Sequence, residues 1–379
     1  MRITFVLWRG DIGGAERVTV ALAGELRRMS VEADILFVCD ADRLAGQMAA
    51  ESVPYAELGH DRGSRIVAHP LRLRRMLRRL RPDVVVAVAV GYLGAVVRAA
   101  GFRGPLVGVE HGVLIEISAG PWRHHLKGWA DRLIGIGAYD AEVAISEYMR
   151  ELIGRGPHAR RVVLIPHGVE APKESPPEPE GGDGELIAGF AGRLHPGKGA
   201  DRLIRAAAAL RDGGPAARVR VRIAGDGEMR GQWQGLAGEL GVEDRVEFLG
   251  WSDDIAGLWA GCHVAVAPND VFIESFGMSV LEAMAAGRPT IVTDRGALPE
   301  LVLPGVTGHV VPAGDDGALA RALAAYASDR DAARAHGAAA HRRATDGYTL
   351  RRSASGYLEL AEDLLARSRP RRRGYRAPA

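Results

Sequence analysis

Short apolar segments rich in β-branched residues alternate with helical patterns along most of the chain. In the first half the apolar segments cover residues 3–7, 33–38, 83–88, 105–109, 142–145 and 162–165. They are apolar on both faces, which is typical of parallel strands covered by helices. Helical patterns such as 15–29 and 69–80 separate them. This alternation predicts a doubly wound α/β sheet.

Residues 171–184 interrupt the pattern with four prolines and three glycines and no apolar periodicity. Such a composition predicts a linker or an exposed loop. Beyond it the apolar segments return at 186–191, 218–224, 246–249, 263–267 and 290–293. The chain therefore predicts two doubly wound, Rossmann-like α/β domains with parallel sheets.

The domain boundaries follow from these breaks. We expect an N-terminal domain over 1–168, a linker over 169–184, a C-terminal domain over 185–344, a helix over 345–366 and a basic tail over 367–379. Two such domains in tandem would face each other across a cleft. Ligands of open α/β sheets bind outside the carboxyl ends of the strands, so the loops after the strands should carry the chemistry.

Composition narrows the class of protein. A chain of 379 residues suits two domains. Its 47% hydrophobic and 25% charged residues exclude global disorder. The formal charge of +2 argues against nucleic acid as the main partner. Lys127, Lys173 and Lys198 are the only lysines, because the chain otherwise uses arginine.

The cysteines and the N-terminus predict a cytoplasmic protein without a transmembrane helix. Cys39 and Cys262 lie far apart in apolar segments, without disulfide or zinc spacing, which fits a reducing compartment. The apolar run at residues 3–8 is too short for a secretion signal or a membrane span. Two basic segments could be solvated or could contact an anionic membrane. They are the tail 367–379 and a helix with Arg72, Arg74, Arg75, Arg78 and Arg79.

The segment 272–287 carries the strongest chemical signal, because it follows a predicted strand and opens a helix that Gly287 ends. The unpaired N–H groups near Phe276, Gly277 and Met278 would form an anion site at the helix N-terminus.

Glu274 and Glu282 lie on either side of this helix start, eight positions apart. Glu282 lies about 8 Å from the start at about 1.5 Å per residue, with its side chain leaning back toward it. Carboxylates prefer hydroxyls to phosphates. The pattern indicates a ligand with a ribose near Glu282, a diphosphate at the helix end and a sugar near Glu274, which is a nucleotide sugar. An ordinary surface helix with Glu282 in solvent is the alternative.

Arg193 and Lys198 lie in the segment 189–200, which also follows a strand and opens a helix. Two cations at a helix N-terminus could neutralise a diphosphate leaving group. The segment lacks the Gly-x4-Gly-Lys-Ser/Thr pattern of a Walker A loop.

Other strand ends offer weaker signals. Gly225 and Trp251 follow two second-domain strands, where a turn is the alternative interpretation for Gly225. Gly13 and Gly14 follow the first strand and could let a phosphate or an acceptor approach the backbone. The spacing is not Gly-x-Gly-x-x-Gly, which disfavours a dinucleotide oxidoreductase. His111 could bind a sugar hydroxyl, orient the acceptor or be structural.

No convincing metal site is predicted. Asp40-Ala-Asp42 is a DxD pattern without a second ligand cluster, and the adjacent His124 and His125 would point apart on a helix.

Taken together, these segments resemble the family 4 nucleotide-sugar glycosyltransferases of GT-B architecture. The matching segments run in family order over about residues 3–360 and comprise 13–16, 143–146, 165–168, 192–199, 224–227, 246–250, 274–282 and 296–300. The resemblance implies a Glu-x7-Glu motif at Glu274 and Glu282, phosphate contacts from Arg193 and Lys198, and an active-site His111.

The resemblance also implies a terminal helix over about 350–365 that packs on the first domain. Two positions depart from the family pattern. His167 stands where the family commonly has asparagine, which should change a hinge contact. Ala297 stands where a second glycine is usual, so we expect a tighter backbone approach there.

The implied function is a metal-independent, retaining glycosyltransferase that moves a hexose from a UDP- or GDP-sugar to a hydroxyl acceptor in glycan, glycolipid or secondary-metabolite biosynthesis. The nucleoside-diphosphate sugar would be a co-substrate, with no cofactor. The catalytic residues would be His111, Arg193, Lys198 and Glu274. The donor-binding residues would be Gly13, Gly14, Arg193, Lys198, Gly225, Trp251, Glu274, Phe276, Gly277, Met278 and Glu282.

In this interpretation the N-terminal domain binds the acceptor near Gly13, Gly14 and His111, and the C-terminal domain binds the donor. Domain closure would exclude water. A GT-B sugar-nucleotide epimerase or phosphorylase and a non-catalytic nucleotide-sugar-binding protein are the alternatives.

Overall fold

The computed structural model describes residues 1–10, 13–41, 44–59, 70–88, 93–111, 137–154, 161–170, 185–211 and 219–368, together with residues 172, 174, 177 and 179. Asp42, His124, His125 and most of the basic tail lie outside these residues. The chain divides into two compact units. The first comprises Met1–Ile145, Met149–Pro166 and the chain from Leu350 onward, and the second comprises Ser146–Tyr148 and His167–Thr349.

The first unit contains a parallel sheet. Its strands are β1 (Arg2–Leu7), β2 (Glu32–Phe37), β3 (Tyr55–Glu57), β4 (Val84–Val88), β5 (Leu106–Glu110), β6 (Ala141–Ala144) and β7 (Val162–Leu164). The helices between them are α1 (Gly14–Arg28), α2 (Ala45–Ala50), α3 (Pro70–Leu80), α4 (Leu93–Ala99) and α5 (Glu147–Gly154). The strand order is β3-β2-β1-β4-β5-β6-β7. β4 is buried along its whole length, as expected for a strand covered on both faces.

The second unit repeats this plan. Its strands are β8 (Leu186–Ala191), β9 (Val219–Ala224), β10 (Val246–Gly250), β11 (Val264–Ala267), β12 (Thr290–Thr293) and β13 (Gly308–Val311). Its helices are α6 (Ala200–Ala209), α7 (Arg230–Glu239), α8 (Ile255–Ala260), α9 (Met278–Ala285), α10 (Leu298–Leu301), α11 (Asp316–Ser328) and α12 (Arg330–Gly347). The order β10-β9-β8-β11-β12-β13 makes β8 and β11 neighbours, so the strand order reverses between them. Ligands bind at such switch points.

A last helix, α13 (Leu350–Ser368), belongs to the first unit although it follows the second in sequence. Tyr357 is 3% exposed, and its ring lies edge-on to Phe5 with centroids 6.1 Å apart. Asp363 forms an ion pair with Arg161. The helix begins at Leu350 rather than at residue 345, because residues up to 347 belong to α12.

The structure confirms two doubly wound parallel sheets. It adds β3 and β13, two short strands at sheet edges that the sequence did not predict, because their half-exposed positions break the apolar pattern. His167 and Gly168 group with the second unit, although the sequence placed the boundary after them.

Part of the proline-rich segment contacts the second unit instead of standing free. The carbonyl of Pro177 accepts a hydrogen bond of 2.8 Å from Arg288 Nη2, and the carbonyl of Pro179 lies 3.1 Å from His263 Nε2. Arg288 and His263 are both buried.

Cys39 and Cys262 are buried and form no disulfide, and burial raises the pKa of the Cys262 thiol to about 12. Within the described ranges, every helix is too short or too polar to cross a membrane.

Candidate functional site

Two loops meet at the switch point of the second sheet. The loop after β8 carries Gly197 and Gly199, and the loop after β11 begins at Pro268. The carbonyl of Gly197 accepts a hydrogen bond of 2.8 Å from the N–H of Asp270. Gly199 has φ +79°, and a Cβ there would lie 1.8 Å from the carbonyl oxygen of Pro268. Only glycine permits this approach, which fixes one loop against the other.

Lys198 and Glu274 are the charged residues that these loops bring together. Lys198 Nζ lies 2.6 Å from Glu274 Oε2, and the side chains are 17% and 22% exposed. The ammonium also lies 3.9 Å from the ring centroid of Phe272, in cation–π geometry. A ligand with an anionic group and a hydroxyl group could replace this ion pair. The ammonium would then bind the anionic group, and the carboxylate would accept a hydrogen bond from the hydroxyl group.

The start of α9 lies at the end of the same loop. Gly277 is its N-cap with φ +104°, and a Cβ there would lie 2.8 Å from Leu298 Cδ2. Phe276 is buried, and its ring lies edge-on to His167 with centroids 5.2 Å apart. Met278 is half-buried at the first helical position. The first backbone N–H groups of a helix have no acceptor within the helix, so a helix start of this kind suits an anion.

A carboxylate and a guanidinium, Glu282 and Arg193, complete the predicted set. Glu282 is half-buried on α9, and Arg193 is exposed in the loop after β8. Neither side chain shares the Lys198–Glu274 hydrogen bond.

Two further predicted positions, Gly225 and Trp251, lie at strand ends. A Cβ on Gly225 would lie 1.9 Å from the carbonyl oxygen of Gly192, so glycine allows the loops after β9 and β8 to touch. Trp251 is 44% exposed and follows β10, the edge strand of the sheet. Its indole nitrogen lies 3.4 Å from an Asp253 carboxylate oxygen.

Ala297 departs from the family pattern and supports the main chain of Glu274. Its N–H donates a hydrogen bond of 2.9 Å to the Glu274 carbonyl. The preceding Gly296 has φ +59°, and a Cβ on it would lie 2.2 Å from that carbonyl oxygen. The close approach therefore requires the first glycine, whereas the second position accepts a buried alanine.

In the first unit, Gly13 is the N-cap of α1 in an extended conformation, and Gly14 opens the helix. A Cβ on Gly13 would lie 2.3 Å from a Glu16 carboxylate oxygen. His111 directly follows β5 and is half-buried. Burial lowers the pKa of His111 to about 4, so its imidazole is neutral at neutral pH and can accept a hydrogen bond.

Three polar residues of the second unit received no role from the sequence. Ser146 Oγ donates a hydrogen bond of 2.8 Å to the carbonyl of Ser275. The Glu300 carboxylate accepts hydrogen bonds from the N–H groups of Glu147 and Tyr148, at 2.8 and 2.6 Å. Asn269 contacts Glu274. The family-like segments 143–146 and 296–300 contain Ser146 and Glu300, but spacing alone did not show what these residues bind.

In the parts of the chain that the structure describes, there is no group of three or more His, Cys, Asp or Glu side chains that could hold a metal ion.

Two family models match the chain. Residues 12–172 match Glycosyltransferase Family 4, and residues 185–329 match Glycosyl transferases group 1. The first match falls mainly in the first unit and the second match falls within the second unit, and the two doubly wound parallel sheets are those of the GT-B fold. The chain belongs to the family 4 glycosyltransferases.

Two proteins with similar sequences are glycosyltransferases. A D-inositol 3-phosphate glycosyltransferase of Nocardia farcinica is 31% identical over 244 residues, covering 61% of this chain and 52% of that protein. The lipopolysaccharide core biosynthesis mannosyltransferase LpcC of Rhizobium leguminosarum bv. viciae is 32% identical, covering 61% of this chain and 66% of that protein. The match thus spans between half and two thirds of the length of these two relatives.

Solved structures share the fold. HepE of Anabaena, in complex with UDP and glucose, matches 96% of this chain and 100% of its own, with a TM-score of 0.79 and 21% identity. Sucrose-phosphate synthase of Thermosynechococcus elongatus matches 97% and 100%, with a TM-score of 0.80 and 20% identity.

Proposed function

We propose that this chain is a retaining glycosyltransferase that transfers a hexose from a UDP- or GDP-sugar to a hydroxyl acceptor. The observation that carries the proposal is the Lys198–Glu274 pair, 2.6 Å long, beside the start of α9 at the switch point. Membership of the family supports it, as do the complexes of HepE with UDP and with UDP-glucose.

The donor would replace the contact between Lys198 and Glu274 with its own contacts to each of them. Its diphosphate would bind Lys198, Arg193 and the N–H groups at Gly277. Glu274 would accept hydrogen bonds from hydroxyls of the donor sugar, and Glu282 from the ribose. Preorganised cations of this kind stabilise charge that develops on a leaving group. If these two cations and the helix N-terminus neutralise the diphosphate, the reaction would need no metal ion.

The reaction would proceed on one face of the sugar. The bond from the anomeric carbon to the donor phosphate oxygen breaks, and the acceptor oxygen bonds to that carbon from the same side. The departing phosphate oxygen takes the proton of the acceptor hydroxyl. Charge on the departing diphosphate would then be the largest target for stabilisation.

The first unit would bind the acceptor. Gly13 and Gly14 expose backbone at the start of α1, and the neutral imidazole of His111 can accept a hydrogen bond from an acceptor hydroxyl. A glycan, a glycolipid and a small secondary metabolite all offer such hydroxyls.

Contact with an anionic membrane would involve α3. Leu73 and Leu77 are buried, whereas Leu71 is 74% exposed on the same helix. The helix has no acidic residue, and its exposed arginines are Arg72, Arg74, Arg75, Arg78 and Arg79. Basic residues near an anionic surface each contribute about 1 kcal/mol to binding.

The test is a panel of UDP- and GDP-sugars offered with and without polyol, glycan and lipid acceptors. Nucleotide release and product mass would be followed with and without EDTA, and the anomeric configuration of the product by NMR. Transfer that keeps the configuration and survives EDTA is expected. Donor consumption without an acceptor would favour an epimerase, and a sugar phosphate formed with inorganic phosphate would favour a phosphorylase. Donor binding without turnover across the panel would favour a non-catalytic binding protein.

A further inference from the structure

A single asparagine stands behind the Lys198–Glu274 pair. Asn269 is the only asparagine among the 379 residues, and Lys198 is one of three lysines. A composition that disfavours both residue types nevertheless places one of each against the same carboxylate oxygen, Glu274 Oε2.

Asn269 is 2% exposed. Its Nδ2 lies 3.2 Å from Glu274 Oε2 and 3.5 Å from the carbonyl oxygen of Phe272. The shorter contact is the stronger one, since hydrogen bonds weaken near the longer distance. An ionised carboxylate only accepts hydrogen bonds, so the amide must present its NH₂ group to Glu274.

The asparagine is itself held at both sides. Thr293, at the end of β12, donates a hydrogen bond of 2.7 Å from its hydroxyl to the main-chain carbonyl of Asn269. The next residue, Asp270, binds Arg202 of α6 through its carboxylate and donates from its N–H to the Gly197 carbonyl at 2.8 Å. These contacts fix the backbone from which the Asn269 side-chain amide extends.

We propose that Asn269 is a positioning residue that holds the Glu274 carboxylate in place when the donor phosphate engages Lys198. The inference rests on the proposed function, which gives Lys198 the phosphate and Glu274 the sugar. Once the ammonium turns to the phosphate, the buried amide keeps the carboxylate aimed at the sugar hydroxyls. Asn269 itself touches neither substrate nor phosphate.

The first test is Asn269→Ala. Turnover should fall by roughly 10- to 100-fold, the scale of a misplaced reacting group. Affinity for free UDP or GDP, whichever the wild type binds, should stay within about twofold, because the substitution leaves the phosphate contacts in place. Weakened nucleotide binding would instead indicate a collapsed loop and would overturn the positioning role.

A double-mutant cycle separates positioning from general loss of structure. In a Glu274→Ala background, Asn269→Ala should cost less than about threefold further turnover, because its target is gone. An undiminished loss in that background would overturn the proposal.

Asn269→Asp keeps the shape but removes the donor. Turnover relative to wild type should be lowest at high pH and recover as pH falls, because two close carboxylates then share a proton and regain a donor. A ratio to wild type that does not change with pH would contradict the proposal.

Thr293→Val provides a milder variant if the others fail to fold. It removes the hydroxyl that holds Asn269 and should lower turnover several-fold, again without changing nucleotide affinity. Thr290→Val on the same strand is the matched control. Its hydroxyl is buried and, in the described part of the chain, has no hydrogen-bond partner. Equal effects of the two valines would count against the proposal.

The proposed function and this inference fail differently. A wild type that binds neither UDP nor GDP overturns both. A Glu274→Ala variant with normal turnover overturns the proposed role of Glu274 and the positioning role with it. An impaired Glu274→Ala beside a normal Asn269→Ala overturns the positioning role alone.

Discussion

Glu274 receives hydrogen bonds from residues on three loops, which follow β8, β11 and β12. Oε2 accepts from Lys198 and from Asn269, and the Glu274 carbonyl accepts from Ala297. The carboxylate is thus fixed through its side chain and its main chain, which keeps the entropy lost on sugar binding small.

Lys198→Ala should reduce turnover on the order of 100-fold or more, by analogy with the loss of a single charge-stabilising donor. Steady-state kinetics with a saturating acceptor would measure it. Lys173→Ala, which removes another of the three lysines, is the control and should leave turnover unchanged. Near-normal turnover by Lys198→Ala would refute the phosphate role.

His111 should make the protein less stable in mild acid. Its pKa is lowered to about 4 in the folded chain, from 6.5. Between these values the unfolded chain binds more protons, so stability falls as pH drops through 6.5 and the loss is complete below about 4. At pH 5 the loss amounts to about 2 kcal/mol.

Urea unfolding of wild type and His111→Gln at about pH 7.5 and about pH 5 would measure this contribution. The variant should lose less stability on acidification by that amount. The lowered pKa of His309 affects both proteins equally and cancels in the comparison. Identical pH dependence would show that His111 titrates normally in the folded chain.

Helix starts carry the candidate chemistry at the scale of elements, because α6 and α9 both begin just beyond neighbouring strands. Each has a glycine N-cap in the left-handed region, Gly199 and Gly277. A side-chain cap would occupy the space that an anion needs, whereas glycine leaves the first N–H groups open.

Gly277→Ala should destabilise the second unit by about 1–3 kcal/mol, because alanine is strained at φ +104° and its Cβ would meet Leu298. Donor affinity should fall as well, because the helix start shifts. Gly235→Ala, in the exposed middle of α7 with open space around it, should instead add up to about 1 kcal/mol. Denaturant midpoints and nucleotide titrations would check both variants.

Charge reversal on α3 tests the membrane contact. Arg75→Glu with Arg79→Glu should weaken binding to phosphatidylglycerol-containing vesicles by roughly tenfold or more, given about 1 kcal/mol per basic residue. Arg205→Glu with Arg342→Glu changes the net charge equally on exposed positions of α6 and α12. Vesicle sedimentation that cannot distinguish the two pairs would argue against α3 as the contact surface.

At the scale of the whole molecule, each unit should unfold as its own cooperative block. Tyr357→Ala removes a buried ring from the contact of α13 with Phe5 and should lower the first unit's stability by about 3–5 kcal/mol. Tyr326→Ala should do the same to the second unit, where Tyr326 is 1% exposed. Calorimetry should show a different transition moving in each variant. A single shared shift would contradict independent units.

The sequence predicted most strands because a strand buried on both faces has a local signature. It could not predict that β8 lies beside β11, since that pairing joins segments 70 or more residues apart. For the same reason it placed Lys198 and Glu274 at strand ends without their hydrogen bond, which spans 76 positions. Asn269 was missed because it belongs to no motif, although its uniqueness in the composition was a usable signal.

The position of α13 determines the order in which the two units can complete their cores during synthesis. Tyr357, Leu360 and Leu364 fill a core that begins with residues near the N-terminus, yet they leave the ribosome only after the whole of the second unit. Domains generally fold during synthesis in the order in which they emerge. Here the second unit can complete its core first, while the apolar face of the first unit that α13 covers stays exposed until α13 has been synthesised.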